Sequence, residues 1–187
     1  MHTQELHTPR LLLRHWRDDD LPALAAINAD PEVMAHFPAC LTRAQSDDLC
    51  ERIRTHLAAE GFGVWAVQRR DSGAVIGLAG LQCVAAALPC APAVEIAWRL
   101  ARAHWGQGFA REAAEAALQQ SFQQLHLEQI VAFTTLNNLR SQRLMQRLGM
   151  QHQPEEDFFH PLLPADSPLR AHVLYRLRRL DWLVGQP

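Results

Sequence analysis

A strand that runs into a glycine-containing turn and then into a helix narrows the possible folds of this chain more than any other stretch. The strand pattern is Val94-Glu-Ile-Ala-Trp-Arg-Leu100, and the turn opens a helix at Trp105-Gly-Gln-Gly-Phe-Ala-Arg-Glu112. The first N–H groups of a helix lack intrahelical partners and lie at the positive end of the helix dipole, so such a turn can hold a pyrophosphate. Gly106 and Gly108 allow the backbone to approach phosphate oxygens without an intervening Cβ.

The glycine spacing in this turn excludes two nucleotide-binding loops. It matches neither the GxxxxGK[ST] pattern of a P-loop NTPase nor the GxGxxG pattern of a dinucleotide-binding Rossmann fold. By itself, the stretch is equally compatible with a plain strand-to-helix connection, so a second motif has to decide between the two interpretations.

Two motifs in the expected order resemble the GNAT acetyltransferase superfamily. The segment Trp105–Glu112 resembles the coenzyme A pyrophosphate loop of that family. Downstream, Asn138-Leu-Arg-Ser-Gln-Arg-Leu-Met-Gln-Arg-Leu-Gly-Met150 is similar to its Asn-x-x-Ser helix followed by Leu-Gly-Met. The segments Thr8–Arg14 and Asp30–Met34 resemble the branch that contains the ribosomal-protein N-terminal (alanine/serine) acetyltransferases. The resemblance covers nearly the whole chain. The sequence departs from the family pattern at Trp105, where the family usually has Gln or Arg.

The resemblance implies that acetyl-CoA is the cosubstrate and that it threads between two parallel strands, Ala93–Leu100 and Gln129–Thr135, which splay apart. Backbone at the end of the first strand would pair with the pantetheine arm, and a main-chain N–H there would polarise the thioester carbonyl. The implied cofactor-binding residues are Trp98, Arg99, Leu100, Trp105, Gly106, Gln107, Gly108, Phe109, Ala110, Asn138 and Ser141.

Direct transfer to an amine requires a base, because a lysine-like amine has a pKa of about 10.4 and an α-amine one of about 7.7–8.0. Glu95 is the candidate, since burial within an apolar strand is expected to raise its pKa toward the working range of a general base. Strand alternation places Glu95 on one face with Ala97 and Arg99. Two alternatives stay open: Glu95 only pairs with an arginine, or a water relays the proton.

The second candidate catalytic residue is Ser141, one helical turn after Asn138 and on the same helix face. The resemblance implies that Asn138 hydrogen-bonds the pantetheine end and that the Ser141 hydroxyl protonates the leaving thiolate. Ser141 also suits a helix start, which is the competing interpretation. The predicted function is acetyl transfer from acetyl-CoA to a primary amine, by direct attack in a ternary complex. A non-catalytic acyl-CoA-binding sensor is the alternative.

For the other candidate site residues, the sequence gives less reason to expect a catalytic role. His160 lies within the long, proline-rich segment 153–170 and His172 just after it. The two histidines either line the acceptor pocket or serve as hydrogen-bonded structural histidines. Cys83 and Cys90 are poor nucleophile candidates because no recognisable motif places a histidine beside them.

Charge and composition restrict the partners. Eighteen Lys and Arg against 20 Asp and Glu give a formal net charge of −2, which leaves no bulk positive field for nucleic acid or an anionic membrane. The expected partner is a small-molecule or peptide amine, and the chain is expected to be a monomer or a homodimer. Four cysteines without CxxC and ten histidines without HExxH predict no metal site. Met1–Glu5 does not resemble a leader peptide, so a cytoplasmic location is expected.

The length of 187 residues fits a single domain over residues 1–187. The element order and the resemblance together predict a mixed α/β GNAT fold, with a central, mostly antiparallel twisted sheet that is splayed in the middle and has helices on both faces. Locally, we predict a helix from the cap Thr42 to Gly61 and a short helix from Pro31. The apolar segment Gly77–Val94 is interrupted by prolines, which predicts a buried strand and a loop rather than a membrane span.

Overall fold

The structure of the chain is a computed structural model that describes residues 5–185. Most of the Met1–Glu5 segment used in the leader argument lies outside the described residues. Nine strands are described: β1 Leu6–His7, β2 Leu11–Arg14, β3 Val64–Arg69, β4 Val75–Cys83, β5 Val94–Leu100, β6 Gln129–Thr135, β7 Gln151–His152, β8 Phe158–Phe159 and β9 Ala171–Arg178. The α-helices are α1 Leu21–Ala29, α2 Arg43–Glu60, α3 Phe109–Gln123, α4 Leu139–Arg147 and α5 Arg179–Val184.

The predicted fold class is confirmed. Every strand pair with a described register is antiparallel, apart from the parallel pair of β5 with β6. That parallel pair is short, with one register match between Glu95 and Val131. By the density of its contacts the chain forms two compact units: the first runs up to Gln82 and includes Ala97–Ala117, and the second comprises Cys83–Ile96 and the chain from Leu118 onward. The single domain over residues 1–187 stays a prediction.

In the first unit, strands β1 to β4 pair in sequence order, and α1 and α2 pack on them. A core cluster is formed by apolar side chains from β3, β4, α1 and α2 and by Trp16, which follows β2: Trp16, Leu24, Cys50, Ile53, Val64, Ala66 and Leu78. Trp16 is fixed further, because its indole Nε1 donates to the carbonyl of Val64 at 3.1 Å. The predicted ends of α2 are confirmed: the Thr42 hydroxyl accepts from the N–H of Gln45, and Gly61 ends the helix with φ +74°.

In the second unit, β6 pairs with β9 along its whole length, from Gln129 with Arg178 to Thr135 with His172. The two-residue strands β7 and β8 also pair with β9, β7 at Arg176 and Tyr175 and β8 at His172 and Ala171. A small core joins these strands to the loop before β5, and it comprises Val84, Leu88, Cys90, Val131 and Leu174.

Two local predictions were wrong. No helix begins at Pro31: residues 31–36 form turns, in which the Asp30 carboxylate accepts the N–H of Glu32 at 2.9 Å. Aspartate side chains favour such turns because they offer the backbone an alternative to helical bonding. The segment 153–170, whose length and prolines are typical of a loop, is also not irregular throughout, because it contains β8, which pairs with β9.

The segment Gly77–Val94 forms the end of a buried strand and a loop, as predicted. Among residues 5–185, no helix combines the length and the apolar character needed to cross a bilayer.

Candidate active site

The glycine turn and the start of α3 present a row of backbone donors without acceptors. Within the described residues, the N–H groups of residues 106–111 donate to no oxygen, and the first bond of the helix is from the N–H of Glu112 to the carbonyl of Gly108, at 3.0 Å. Gly106 and Gly108 have φ values of +73° and +84°, which favour glycine. A Cβ placed on Gly106 would meet no atom within 4 Å. The turn therefore offers an open set of donors of the kind that binds phosphate oxygens.

A clamp from the N-terminal part of the chain holds this turn, and sequence reasoning gave it no role. Glu112 on α3 accepts from the Thr8 hydroxyl at 2.6 Å, from the Arg10 N–H at 2.8 Å and from Arg10 Nε at 2.6 Å. Arg10 Nη1 also donates to the carbonyl of Gln107 at 3.0 Å. These four bonds fix both sides of the turn. The only sequence signal was the Thr-Pro-Arg stretch noted in the resemblance to the N-terminal acetyltransferase branch.

Aromatic side chains anchor the same turn. Phe109 is buried, and the guanidinium of Arg10 lies 4.4 Å from its ring centre. The Trp105 indole donates to the carbonyl of Leu100 at 2.8 Å and so ties the turn to the end of β5. Trp105, the position that departs from the family pattern, thus has a structural role that leaves the backbone donors of the turn free.

The clamp predicts a pH-dependent contribution to stability. Burial acts to raise the pKa of Glu112, but the hydrogen bonds from Thr8 and Arg10 outweigh it and lower that pKa below the ordinary glutamate value of 4.5. A carboxyl whose pKa is lower in the folded state stabilises the protein above its unfolded pKa, and the contribution is lost as pH falls through the folded pKa. Glu112→Gln should therefore lower the free energy of unfolding by about 1–3 kcal/mol at pH 7, and the difference from wild type should shrink as the pH falls below 4.5.

Urea unfolding of wild type and Glu112→Gln at several pH values measures this difference. Glu115→Gln is the matched control, because Glu115 lies one helical turn further on and its pair with Arg111 is about half exposed. A difference between wild type and Glu112→Gln that stays constant from pH 7 to well below pH 4.5 would contradict the assignment.

The remaining predicted site residues divide between the two units. Trp98, Arg99 and Leu100 lie on the part of β5 that belongs to the first unit, together with the turn. Glu95 lies in the second unit, where it is 9% exposed and opposite Val131 in the parallel pair. Its burial is what the sequence predicted.

Asn138 and Ser141 lie at the start of α4 in the second unit. The Asn138 side chain caps the helix: its Oδ1 accepts from the N–H of Ser141 at 3.2 Å, and its Nδ2 donates to the Thr134 hydroxyl at 2.9 Å. Because Asn138 is the cap, the Ser141 side chain is not needed to start the helix. Among the described residues the Ser141 hydroxyl has no hydrogen-bond partner, which leaves it available to a ligand.

The histidines near segment 153–170 form an aromatic cluster. The rings of His160 and His172 lie 5.1 Å apart, and His172 stacks on Phe158 at 5.5 Å. His172 Nδ1 contacts the carbonyl of Arg170 at 3.1 Å. Burial lowers the pKa of both histidines, so they are neutral at pH 7. These contacts support the structural interpretation.

Cys90 does not have the properties of a catalytic thiol. It is buried, and burial is the largest contribution to its raised pKa. A protonated thiol is a weak nucleophile, which agrees with the low rank that the sequence gave it.

A family model described as an acetyltransferase (GNAT) domain matches residues 10–151, well over half of the chain. The chain belongs to the GNAT acetyltransferase family. The match includes Arg10 and Glu112 of the clamp, the glycine turn and the start of α4. The protein is therefore an acetyl-CoA-dependent N-acetyltransferase, as predicted.

Individual relatives agree with this assignment. YoaA of Bacillus subtilis, described as an uncharacterized N-acetyltransferase, is 31% identical over 152 residues, which cover 79% of this chain and 83% of YoaA. A GNAT-family acetyltransferase from Bacillus anthracis has a similar structure, with a TM-score of 0.78, 20% identity and coverage of 95% of this chain and 99% of that one. A spermidine N-acetyltransferase from Vibrio cholerae, solved with CoA and spermine, gives a TM-score of 0.73 at 18% identity and covers 94% and 99%. The two solved structures show that this GNAT acetyltransferase shares their fold.

Proposed function

We propose that this GNAT acetyltransferase transfers the acetyl group of acetyl-CoA directly to a primary amine in a ternary complex. The observation that carries the proposal is the row of unpaired backbone donors at residues 106–111. These N–H groups and the positive end of the dipole of α3 suit a pyrophosphate. The clamp by Arg10 and Glu112 holds the donors in place before any ligand arrives.

The roles proposed for the cofactor-binding residues follow the family resemblance. Backbone of Trp98, Arg99 and Leu100 pairs with the pantetheine arm, and the turn from Trp105 to Ala110 holds the pyrophosphate. Bound acetyl-CoA supplies an activated thioester. Asn138 is placed at the pantetheine end by the same resemblance.

Two side chains of this chain are proposed to move the protons. When the amine nitrogen attacks the thioester carbonyl carbon, the carbon–sulfur bond breaks and the amine loses a proton. Glu95 takes that proton, and the Ser141 hydroxyl donates its proton to the departing sulfur. Ser141 then regains a proton from solvent and Glu95 releases one to solvent, so the proton lost by the amine balances the proton gained by the CoA thiol. These roles are supported by the burial of Glu95, and by the capping of α4 by Asn138, which leaves the Ser141 hydroxyl without a partner among the described residues.

The acceptor is a protein N-terminus or a small-molecule amine. The segments Thr8–Arg14 and Asp30–Met34 favour the first through their resemblance to the ribosomal-protein branch. In the structure, part of Thr8–Arg14 is occupied with the clamp, which serves the cofactor turn. That segment therefore carries little information about the acceptor.

Calorimetric titration with acetyl-CoA tests the proposal. Wild type should bind with micromolar affinity, and Gly108→Val should weaken binding by at least about 100-fold, close to 3 kcal/mol. Valine is strained at φ +84°, and its Cβ would lie 3.3 Å from Arg10 Nη2, so the turn and the clamp must both shift.

Gly61→Val is the matched control for this titration. Gly61 has a similar φ of +74° and nothing within 4 Å of a Cβ, but it ends α2 and takes no part in the turn. The control should lose stability and keep its affinity. If wild type does not bind acetyl-CoA, the proposal is wrong; if both variants lose affinity equally, the turn is not the pyrophosphate site.

A further inference from the structure

Arg99 is a partly buried cation that has no carboxylate partner in the part of the chain that the structure describes. Its Nη1 donates to Asn28 Oδ1 at 2.5 Å, and its guanidinium lies 4.1 Å from the ring centre of Phe37. Among residues 5–185, no Asp or Glu pairs with it, whereas Arg102, three residues later, pairs with Glu32. Asn28 in turn donates to the Ser46 hydroxyl at 2.9 Å, and Arg99, Asn28, Phe37 and Ser46 all belong to the first unit.

The surroundings of this guanidinium are built rather than accidental. Asn28 and Ser46 are completely buried, and their side chains bond to each other, so the Oδ1 atom that meets Arg99 has a fixed position. Arg99 Nε is enclosed without any hydrogen-bond partner, whereas Nη2 has no partner among the described residues and is not enclosed. Of the two guanidinium nitrogens without a partner, Nη2 is therefore the one that a ligand can reach, and the partly exposed ring of Phe37 lies over the same guanidinium.

The free protein bears an energetic cost at this position. Burial lowers the pKa of Arg99 to about 10, so the side chain stays charged at neutral pH. A cation removed from water without a counter-charge is destabilising. A buried charge without a counter-charge is expected at a functional site, where a ligand supplies the missing partner.

We propose that Arg99 binds a carboxylate of the acceptor, so that the preferred substrates are small amines that also carry a carboxylate. The inference rests on the proposed acetyl transfer and narrows its acceptor. A guanidinium matches the planar geometry of a carboxylate. A phosphate carries up to two negative charges, which a single guanidinium does not balance. Polyamines, which are cations, are disfavoured at this position.

The first test compares matched acceptors. The pairs are 4-aminobutanoate, 5-aminopentanoate and 6-aminohexanoate, each against its primary amide, with release of free CoA thiol as the readout. In these compounds the carboxylate is distant enough to leave the amine pKa similar within each pair. Wild type should prefer the acid of the best pair by at least about tenfold in kcat/KM, as expected for a hydrogen bond to a charged group.

Two variants assign the preference to Arg99. In Arg99→Gln the ratio of acid to amide should fall to near one, because the charge is gone. In Arg99→Lys part of the preference should remain, because the charge stays and the planar fork is lost. If wild type acetylates each acid and its amide with kcat/KM values within twofold of each other, the carboxylate assignment is overturned, while the transfer reaction stands. Equal kcat/KM values for peptide amines with and without acidic groups would have the same meaning.

A second measurement does not depend on turnover. The Nε–H proton of Arg99 is enclosed, so its exchange with water is slowed and its nitrogen-15-correlated resonance can be followed and assigned by its absence in Arg99→Lys. Titration with butanoate should shift this resonance, and titration with butanamide should not. If butanoate does not shift the Arg99 resonance, the inference is overturned, whether or not any amine is acetylated. If butanoate shifts the resonance but no amine is acetylated, the carboxylate site stands and the proposed function is wrong.

Discussion

Glu95→Gln is expected to lower kcat for acetyl transfer by about 100- to 10,000-fold, the usual contribution of a general base, while acetyl-CoA still binds. Glutamine keeps the size of the buried side chain and removes its ability to take a proton. Steady-state thiol release gives kcat, and the calorimetric titration gives the affinity. A fall in both quantities would point to a structural role for Glu95, and an unchanged kcat would remove it as the base.

The acceptor's own pKa separates a base from a structural residue. An amine that is already neutral at the assay pH does not need a base, so the defect of Glu95→Gln should shrink for acceptors with low amine pKa values and as the pH rises toward the amine pKa. A structural defect would be the same for all acceptors and pH values. Glu128→Gln is the control, because Glu128 precedes β6 and its side chain is 84% exposed. If wild type binds acetyl-CoA but transfers its acetyl group to no amine, the alternative of a non-catalytic acyl-CoA-binding sensor is favoured.

The parts of the site that the sequence predicted are those set by neighbouring residues. The glycine turn and the start of α3 depend on φ values above zero and on the donors of a helix start, and both are properties of a few consecutive residues. The cap at Asn138 is local in the same way, although α4 begins at Leu139, two residues before Ser141, the residue that the sequence suggested for the helix start.

The parts that the sequence did not predict depend on distant contacts. Arg10 and Glu112 are separated by 102 residues, and Arg99 and Asn28 by 71. No pattern within one segment shows that such side chains meet. The strand β8 was missed for a related reason: it has two residues, and its pairing with β9 defines it.

Asp20→Ala is expected to lower the free energy of unfolding by about 3–5 kcal/mol, because it leaves the Arg14 cation buried without its counter-charge. Both side chains are at most 6% exposed, and the pair is bidentate, with Nη1–Oδ2 at 2.6 Å and Nη2–Oδ1 at 2.9 Å. Asp20 also accepts the N–H of Arg17 at 2.8 Å, which fixes the chain just before α1. The loss is measured by urea unfolding followed by tryptophan fluorescence.

A double-mutant cycle distinguishes the buried pair from its individual hydrogen bonds. Arg14→Leu should be as destabilising as Asp20→Ala, but the double variant should cost clearly less than the sum of the two, because it leaves no isolated charge. Asp47→Ala is the matched control: its pair with Arg43 is exposed, and its loss should cost about 1 kcal/mol or less. Strict additivity of the two buried substitutions would mean that each side chain acts through separate bonds. A coupling of more than about 1 kcal/mol would show that the two charges stabilise each other. The same pair would then hold the chain where it enters α1, the helix that supplies Asn28 to Arg99.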